Sequence, residues 1–215
     1  MATLSRRQYL AKTGVLATAV LAGCPSDSVP TPPLQWEQAL PTHPEVGVAF
    51  DDDSVYITQH EMDIGLFQLA RSDGQITGYQ NLGLAPRAWP VADSDTVYVG
   101  NSDGMFFALE RPKTKTGTFD VAWQEPAGAQ SPYQPVVMDD TILFTTVSGD
   151  AVCLDRESGT QQWTTEIAHS LGTTIAVRNG IVVTGSAHGR VTGLDHRTGE
   201  KRWHHDETAS AHTTL

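Results

Sequence analysis

"LDRESGTQQW" at 154–163 and "LDHRTGEKRW" at 194–203 are one phrase written twice, Leu-Asp-x-x-Ser/Thr-Gly-x-x-x-Trp. Each copy follows a short apolar run. A carboxylate just after such a run, at Asp155 and Asp195, can accept backbone N–H bonds and fix a turn. Glycine four residues later, Gly159 and Gly199, suits a backbone that needs positive φ. The tryptophan that closes the phrase is a large flat wedge suited to a neighbouring surface.

Outward from these copies the chain repeats itself. Four segments share a plan: a short apolar strand, an acidic or polar turn, a β-branched strand, a second turn, a third strand ending in Leu, and a last strand with an aromatic residue. The second strands read "SVYIT" (54–58), "TVYVG" (96–100), "TILFT" (141–145) and "GIVVT" (180–184). The third read "IGLFQL" (64–69), "GMFFAL" (104–109), "GDAVCL" (149–154) and "GRVTGL" (189–194). Tyr79, Trp123, Trp163 and Trp203 mark the fourth, the three tryptophans at intervals of 40 residues. Short runs with period-two alternation predict an all-β chain. No unit can bury its own apolar face, so units must stack. Four antiparallel strands per ~40–45 residues is the mark of β-propeller blades.

The Leu-Asp-x-x-Ser/Thr-Gly-x-x-x-Trp phrase resembles the tryptophan-docking repeat of the PQQ-dehydrogenase-like (quinoprotein) β-propellers. The match is tight in the last two units. It loosens in the second, where "LERPKTKTGTFDVAW" carries extra residues, and is weakest in the first, "LARSDGQITGY". The repeats are expected over 34–215. The resemblance implies a ring of about seven or eight blades.

Trp36, in "LQWEQALP", precedes the first full unit and reads as a fourth-type strand with no first three before it. At the other end "AHTTL" (211–215) aligns with "LGTTI" (171–175), as though a fifth unit begins. About four blades of a larger ring are therefore expected, with the remainder missing, lost by truncation, or supplied by a partner chain.

The first residues have a different logic. "SRRQYLAK" (5–12), the uncharged run "TGVLATAVLA" (13–22) and "LAGC" (21–24) give a charged, an apolar and a small-residue segment in order. This is the layout of an export signal. Arg6-Arg7 resembles a twin-arginine signal, and Cys24 the lipid-bearing cysteine of a lipoprotein. Residues 1–23 are expected to be removed, leaving 24–33, rich in Pro and Ser, as a tether. Two acyl chains on Cys24 would hold the protein on a membrane, at the outer face of the cytoplasmic membrane.

The chain of 215 residues has a formal net charge of -11. That balance argues against nucleic acid as a partner and is compatible with a halophilic protein. Asp51–Asp53 align with turn residues of the other units, so they are read as hairpin residues and not as a calcium site. The eight histidines show no zinc spacing, and Cys153 reads as an apolar strand residue. There is no P-loop, GxSxG or HExxH. The resemblance also implies a possible quinone with Ca²⁺. Half a ring cannot enclose a planar cofactor and no vicinal cysteine pair exists, so no cofactor is expected. Trp36, Trp123, Trp163, Trp203, Asp155, Asp195, Gly159 and Gly199 are assigned structural roles and no catalytic residue is named. The expected function is a membrane-anchored, non-enzymatic binding or scaffolding propeller. The alternative is part of a quinoprotein dehydrogenase for alcohols or sugars.

Overall fold

Four short antiparallel sheets follow one another along the chain. A computed structural model describes residues 36–40, 47–59, 65–84, 86, 88–93, 95–112, 116–126, 133–167, 175–186 and 189–206. Blade 1 contains β1 (Val48–Phe50), β2 (Ser54–Gln59), β3 (Gly65–Ala70) and β4 (Ile76–Asn81). Blade 2 contains β5 (Val91–Ala92), β6 (Thr96–Gly100), β7 (Met105–Glu110) and β9 (Asp120–Pro126). The short β8 (Gly117–Thr118) lies between β7 and β9 in sequence but pairs in parallel with β4, as a fifth strand on blade 1. Blade 3 is β10 (Val136–Val137), β11 (Thr141–Thr145), β12 (Asp150–Asp155) and β13 (Gln161–Glu166). Blade 4 is β14 (Ala176–Arg178), β15 (Ile181–Gly185), β16 (Arg190–Asp195) and β17 (Lys201–Asp206). The chain is thus all-β, built of four-stranded antiparallel propeller blades.

The core lies between blades, as stacking requires. Call the face toward the preceding blade leading, and the other trailing. Tyr98, Phe106, Ala108 and Trp123 on the trailing face of blade 2 pack against Ile142, Phe144, Val152 and Leu154 on the leading face of blade 3. Phe106 and Phe144 stack with ring centroids 4.8 Å apart. Leu143, Ala151, Cys153 and Trp163 of blade 3 meet Val182 and Leu194 of blade 4 in the same way. Tyr56 and Leu66 of blade 1 meet Val97, Val99, Phe107 and Leu109 of blade 2. Successive strand residues point to opposite faces, which is why the central strands of blade 3 are buried on both.

Each blade carries the same irregularity between its third and fourth strands. The register shifts between Gln68 and Leu69, Ala108 and Leu109, Cys153 and Leu154, and Gly193 and Leu194. One extra residue is left on the fourth strand: Thr77, Ala122, Gln162 and Arg202 respectively. A bulge re-aims the side chain beside it, and in blades 2 to 4 that side chain is the tryptophan. In blade 1 it is Gly78. The aromatic next along, Tyr79, pairs with Phe67 and packs on it at 4.8 Å, on the leading face. Sequence alignment of Tyr79 with the tryptophans is therefore one residue out.

Residues 36–40 lie outside any strand. The expected fourth-type strand around Trp36 does not form there, because the described residues contain no third-type strand before Val48 with which it could pair. Arg6, Arg7, Cys24, the 24–33 tether and the fifth-unit start at 211–215 lie outside the described residues.

Candidate functional site

The seams between blades are where the repeated residues converge. The Trp163 Nε1 donates to the His196 carbonyl oxygen at 3.0 Å, and Trp123 Nε1 to the Arg156 carbonyl oxygen at 3.0 Å. Both acceptors sit in the Leu-Asp-x-x-Ser/Thr-Gly turn of the next blade. Asp155 shapes its turn by accepting from the Ser158 amide at 2.9 Å and hydroxyl at 2.8 Å. Asp195 accepts from the amides of Arg197 and Thr198 at 3.0 and 3.1 Å. The Arg202 guanidinium at 2.7 Å, then those amides, hold the Asp195 carboxyl down at about 2.

The glycine of each turn is the floor on which the indole lies. Gly159 and Gly199 have φ of 75° and 71°. A Cβ at either would lie 2.6 Å from the ring of Trp123 or Trp163. Gly199→Ala must therefore adopt a left-handed backbone and push the indole away. A loss of about 2 kcal/mol is expected, read as a lower urea midpoint with a red-shifted tryptophan emission.

Trp36 docks in the same manner without a strand behind it. Its Nε1 donates to the Arg71 carbonyl oxygen at 2.7 Å and its ring lies on Gly74. Trp203 is presented in the same register, opposite Gly193, but remains 44% exposed, against 9% for Trp123 and for Trp163.

Sequence reasoning passed over the residue that follows the Asp. Counting two from the repeat's Leu gives Arg71, Arg111, Arg156 and His196. The last three reach back across a seam. Arg111 Nη1 bonds Asp51 Oδ2 at 2.8 Å, Arg156 pairs with Asp93 and donates to Tyr98 Oη at 3.1 Å, and His196 Nε2 lies 3.0 Å from Thr141 Oγ1. The main-chain oxygen of Arg156, and likewise of His196, takes the preceding blade's tryptophan. One residue thus ties the seam twice. The recurrence of a cation at this offset was the signal available in the sequence.

Asp51 belongs to "DDD" at 51–53. Its Oδ1 accepts the amides of Asp53 and Ser54, both at 2.8 Å, closing the β1–β2 hairpin. Burial pushes its carboxyl up, but hydrogen bonds from Tyr56 and those amides, with the Arg111 charge, outweigh it and leave it below the usual carboxylate range. A carboxyl lowered by folding stabilises above its unfolded value and loses that contribution as pH falls through the folded one. The urea midpoint is expected to fall below about pH 4, and Asp51→Asn should flatten that fall.

The first seam is built differently. Gly78 supplies no indole. Phe119, just after β8, enters instead and packs on Tyr56 with centroids 6.4 Å apart. The extra residues of "LERPKTKTGTFDVAW" thus supply the missing wedge from the neighbouring blade. Clefts of about 420 Å³ and 530 Å³ open at equivalent places on the second and first seams. The former is lined by Trp123, Asp155 and Arg156, the latter by Gln68, Arg111 and Pro112.

Cys153 is fully buried. Burial first, then Asp140 and Asp155, pushes its thiol up to about 12. With so little thiolate, it is expected to resist maleimide at pH 8 in the native protein and to react at once in urea, measured by mass shift.

Calcium takes six to eight oxygen ligands, and a calcium-bound quinone needs such a set. Among the described residues no group of three or more His, Cys, Asp or Glu comes together to hold an ion. Asp51, the first residue of "DDD", is already committed to its hairpin and to Arg111.

A family profile described as outer membrane protein assembly factor BamB matches residues 114–215. No curated protein matches the chain. Among solved structures, BamB from Moraxella catarrhalis is similar with TM-score 0.62 and 21% identity, over 74% of this chain and 52% of that one. The computationally designed Ika8 protein is similar with TM-score 0.66 and 18% identity, over 76% of this chain and 49% of that one. The chain spans about half the length of these structures. Four stacked blades and their docked tryptophans give the chain a β-propeller fold like that of these structures, and its second half, residues 114–215, is similar to the BamB-type PQQ-like repeat.

Proposed function

We propose that this chain is an exported, lipid-anchored β-propeller that acts as a binding or scaffolding module and not as an enzyme. The observation that carries the reading is the use made of the repeat's polar residues. Asp51, Asp93, Arg111, Arg156 and His196 bond one another or the hairpins across seams. The chemistry of the repeat is spent on joining blades, which leaves surfaces as the working part. The match to an assembly-factor family supports a protein partner. The Arg6-Arg7 signal and Cys24 support attachment to the outer face of the cytoplasmic membrane.

Mass spectrometry of the membrane fraction should find diacylglyceryl on Cys24, and Cys24→Ser should release the chain in soluble form. An unmodified N-terminus on soluble protein sinks the anchor. Adding pyrroloquinoline quinone and Ca²⁺ should give no dye-coupled alcohol oxidation; turnover that scales with protein would replace the binding reading with the dehydrogenase one.

A further inference from the structure

The β14–β15 hairpin of blade 4 turns differently from the hairpin tips before it. Arg178 pairs with Ile181, which leaves Asn179 and Gly180 as the loop. Their φ values are 52° and 75°, the two left-handed residues of a type I′ turn. Among the described residues Asn179 is the single non-glycine with positive φ. The matching tip of blade 3 is Asp139-Asp140, so blade 4 carries an amide where its neighbour carries acids.

The chain has three asparagines, Asn81, Asn101 and Asn179, and two of them are held. Asn101 is buried. Its Nδ2 donates to the Leu82 carbonyl oxygen at 2.9 Å, and its Oδ1 accepts the amides of Asp103 and Met105, both at 3.0 Å. Asn81 Oδ1 accepts the Gly83 amide at 2.7 Å, and the branched Leu82 follows it. Asn179 is exposed, and among the described residues its side chain makes no hydrogen bond. Gly180 follows, and a Cβ placed on it would meet nothing within 4 Å. The side-chain amide carbon of asparagine is an electrophile, and the next main-chain nitrogen is the nucleophile that can reach it. Glycine leaves that nitrogen the most room.

We propose that Asn179 is a self-modification site, at which the folded chain converts asparagine to isoaspartate and aspartate through a cyclic imide. The Gly180 nitrogen, having lost its proton to solvent base, bonds to Asn179 Cγ. The bond from Cγ to the side-chain nitrogen breaks, and that nitrogen takes a proton from water and leaves as ammonia. Water then adds to one of the two imide carbonyls. Opening at the Asn179 main-chain carbonyl gives isoaspartate, and opening at Cγ gives aspartate. No oxidant or cofactor enters. A new carboxylate then stands beside the exposed Arg178. Isoaspartate also lengthens the main chain by a methylene in a loop whose Gly180 carbonyl accepts the His196 amide at 2.9 Å. His196 in turn holds Trp163, so the change reaches the third seam.

The test holds the purified full chain at pH 8 in heavy-oxygen water and maps its peptides by electron-transfer fragmentation, which distinguishes isoaspartate from aspartate. The expected result is label at 179 in both products, with isoaspartate the larger. It should form roughly tenfold or more faster than label at Asn81 and Asn101, whose side chains are held, and faster as pH rises. Asn179→Gln lengthens the ring that must close and should remove the label at 179, with circular dichroism checking that the fold is kept. Equal rates at 81 or 101 in folded protein, aspartate without isoaspartate, or an unlabelled 179 in folded chain that labels in urea would each overturn the proposal.

Discussion

Trp163→Ala is expected to cost about 3–5 kcal/mol of unfolding free energy, the range for emptying a large aromatic site. The indole is 9% exposed and packs among Leu143, Cys153, Ile175, Val182 and Leu194. It also carries the 3.0 Å bond to the His196 carbonyl. Removing it opens the third seam on both counts, since blade 4 has lost the ring against Gly199 as well. Urea unfolding with linear extrapolation measures the loss. Two companions separate the contributions. Trp163→Phe keeps most of the buried ring but not the donor, so about 1 kcal/mol of hydrogen bond should be missing beyond the packing change. Trp203→Ala makes the identical chemical change at an exposed rim and should cost less than about 1 kcal/mol. Equal losses at 163 and 203 would refute the view that the covering blade, and not the tryptophan itself, sets the energy.

Phe119→Ala is the second large effect, also about 3–5 kcal/mol. Phe119 is 4% exposed and lies in the cluster of Tyr56, Leu66, Val97 and Leu109. It is reached only because β8 crosses to blade 1, pairing Gly117 with Gly78 and Thr118 with Tyr79. The substitution should therefore also speed hydrogen exchange at the amides of β8, ahead of those in β6. Gly78→Trp alone should destabilise, because a Cβ there already meets the Gln68 side chain and Pro112 at 3.1 Å. Combined with Phe119→Ala it should be less harmful than the sum, a coupling a double-mutant cycle reads directly.

Much of this fold was legible in the sequence, because strand period and turn chemistry are local. The runs at 96–100 and 141–145 are strands with the bounds read from alternation alone. Long-range substitution was not legible. Tyr79 sits one place from the tryptophan column, and only the bulge at Gln68 and Leu69 shows that Gly78 is the true counterpart. Nothing local announces that an insertion in one unit will fill a socket in another. Trp36 fell between these cases: its docking follows from its chemistry, while the strand inferred for it needed a pairing partner. At the seams the aromatic half of the clasp was visible as a motif. The Arg111, Arg156 and His196 half was not, since its partners lie 60, 63 and 55 residues away.

Chains built of near-copies risk assembling in the wrong order, since one blade's face resembles another's. The residues that tie the seams here are copies only in part: Asp51–Arg111 and Asp93–Arg156 repeat one pair, while the matching hairpin position is Met138 in blade 3 and Arg178 in blade 4. Asp51 and Asp93 await a cation, while Arg178 repels one. If blade 2 stacked on blade 4 during folding, Arg111 would meet Arg178. If blade 3 did so, Arg156 would. Hydrophobic stacking would tolerate either error, because Val, Leu and Ile are interchangeable at this level. The hairpin charges would not, and like-charge contacts of this sort discriminate against wrong partners. The hairpin charge thus disfavours one class of error, a blade with arginine at the tie position stacking on blade 4, and leaves the first two seams interchangeable.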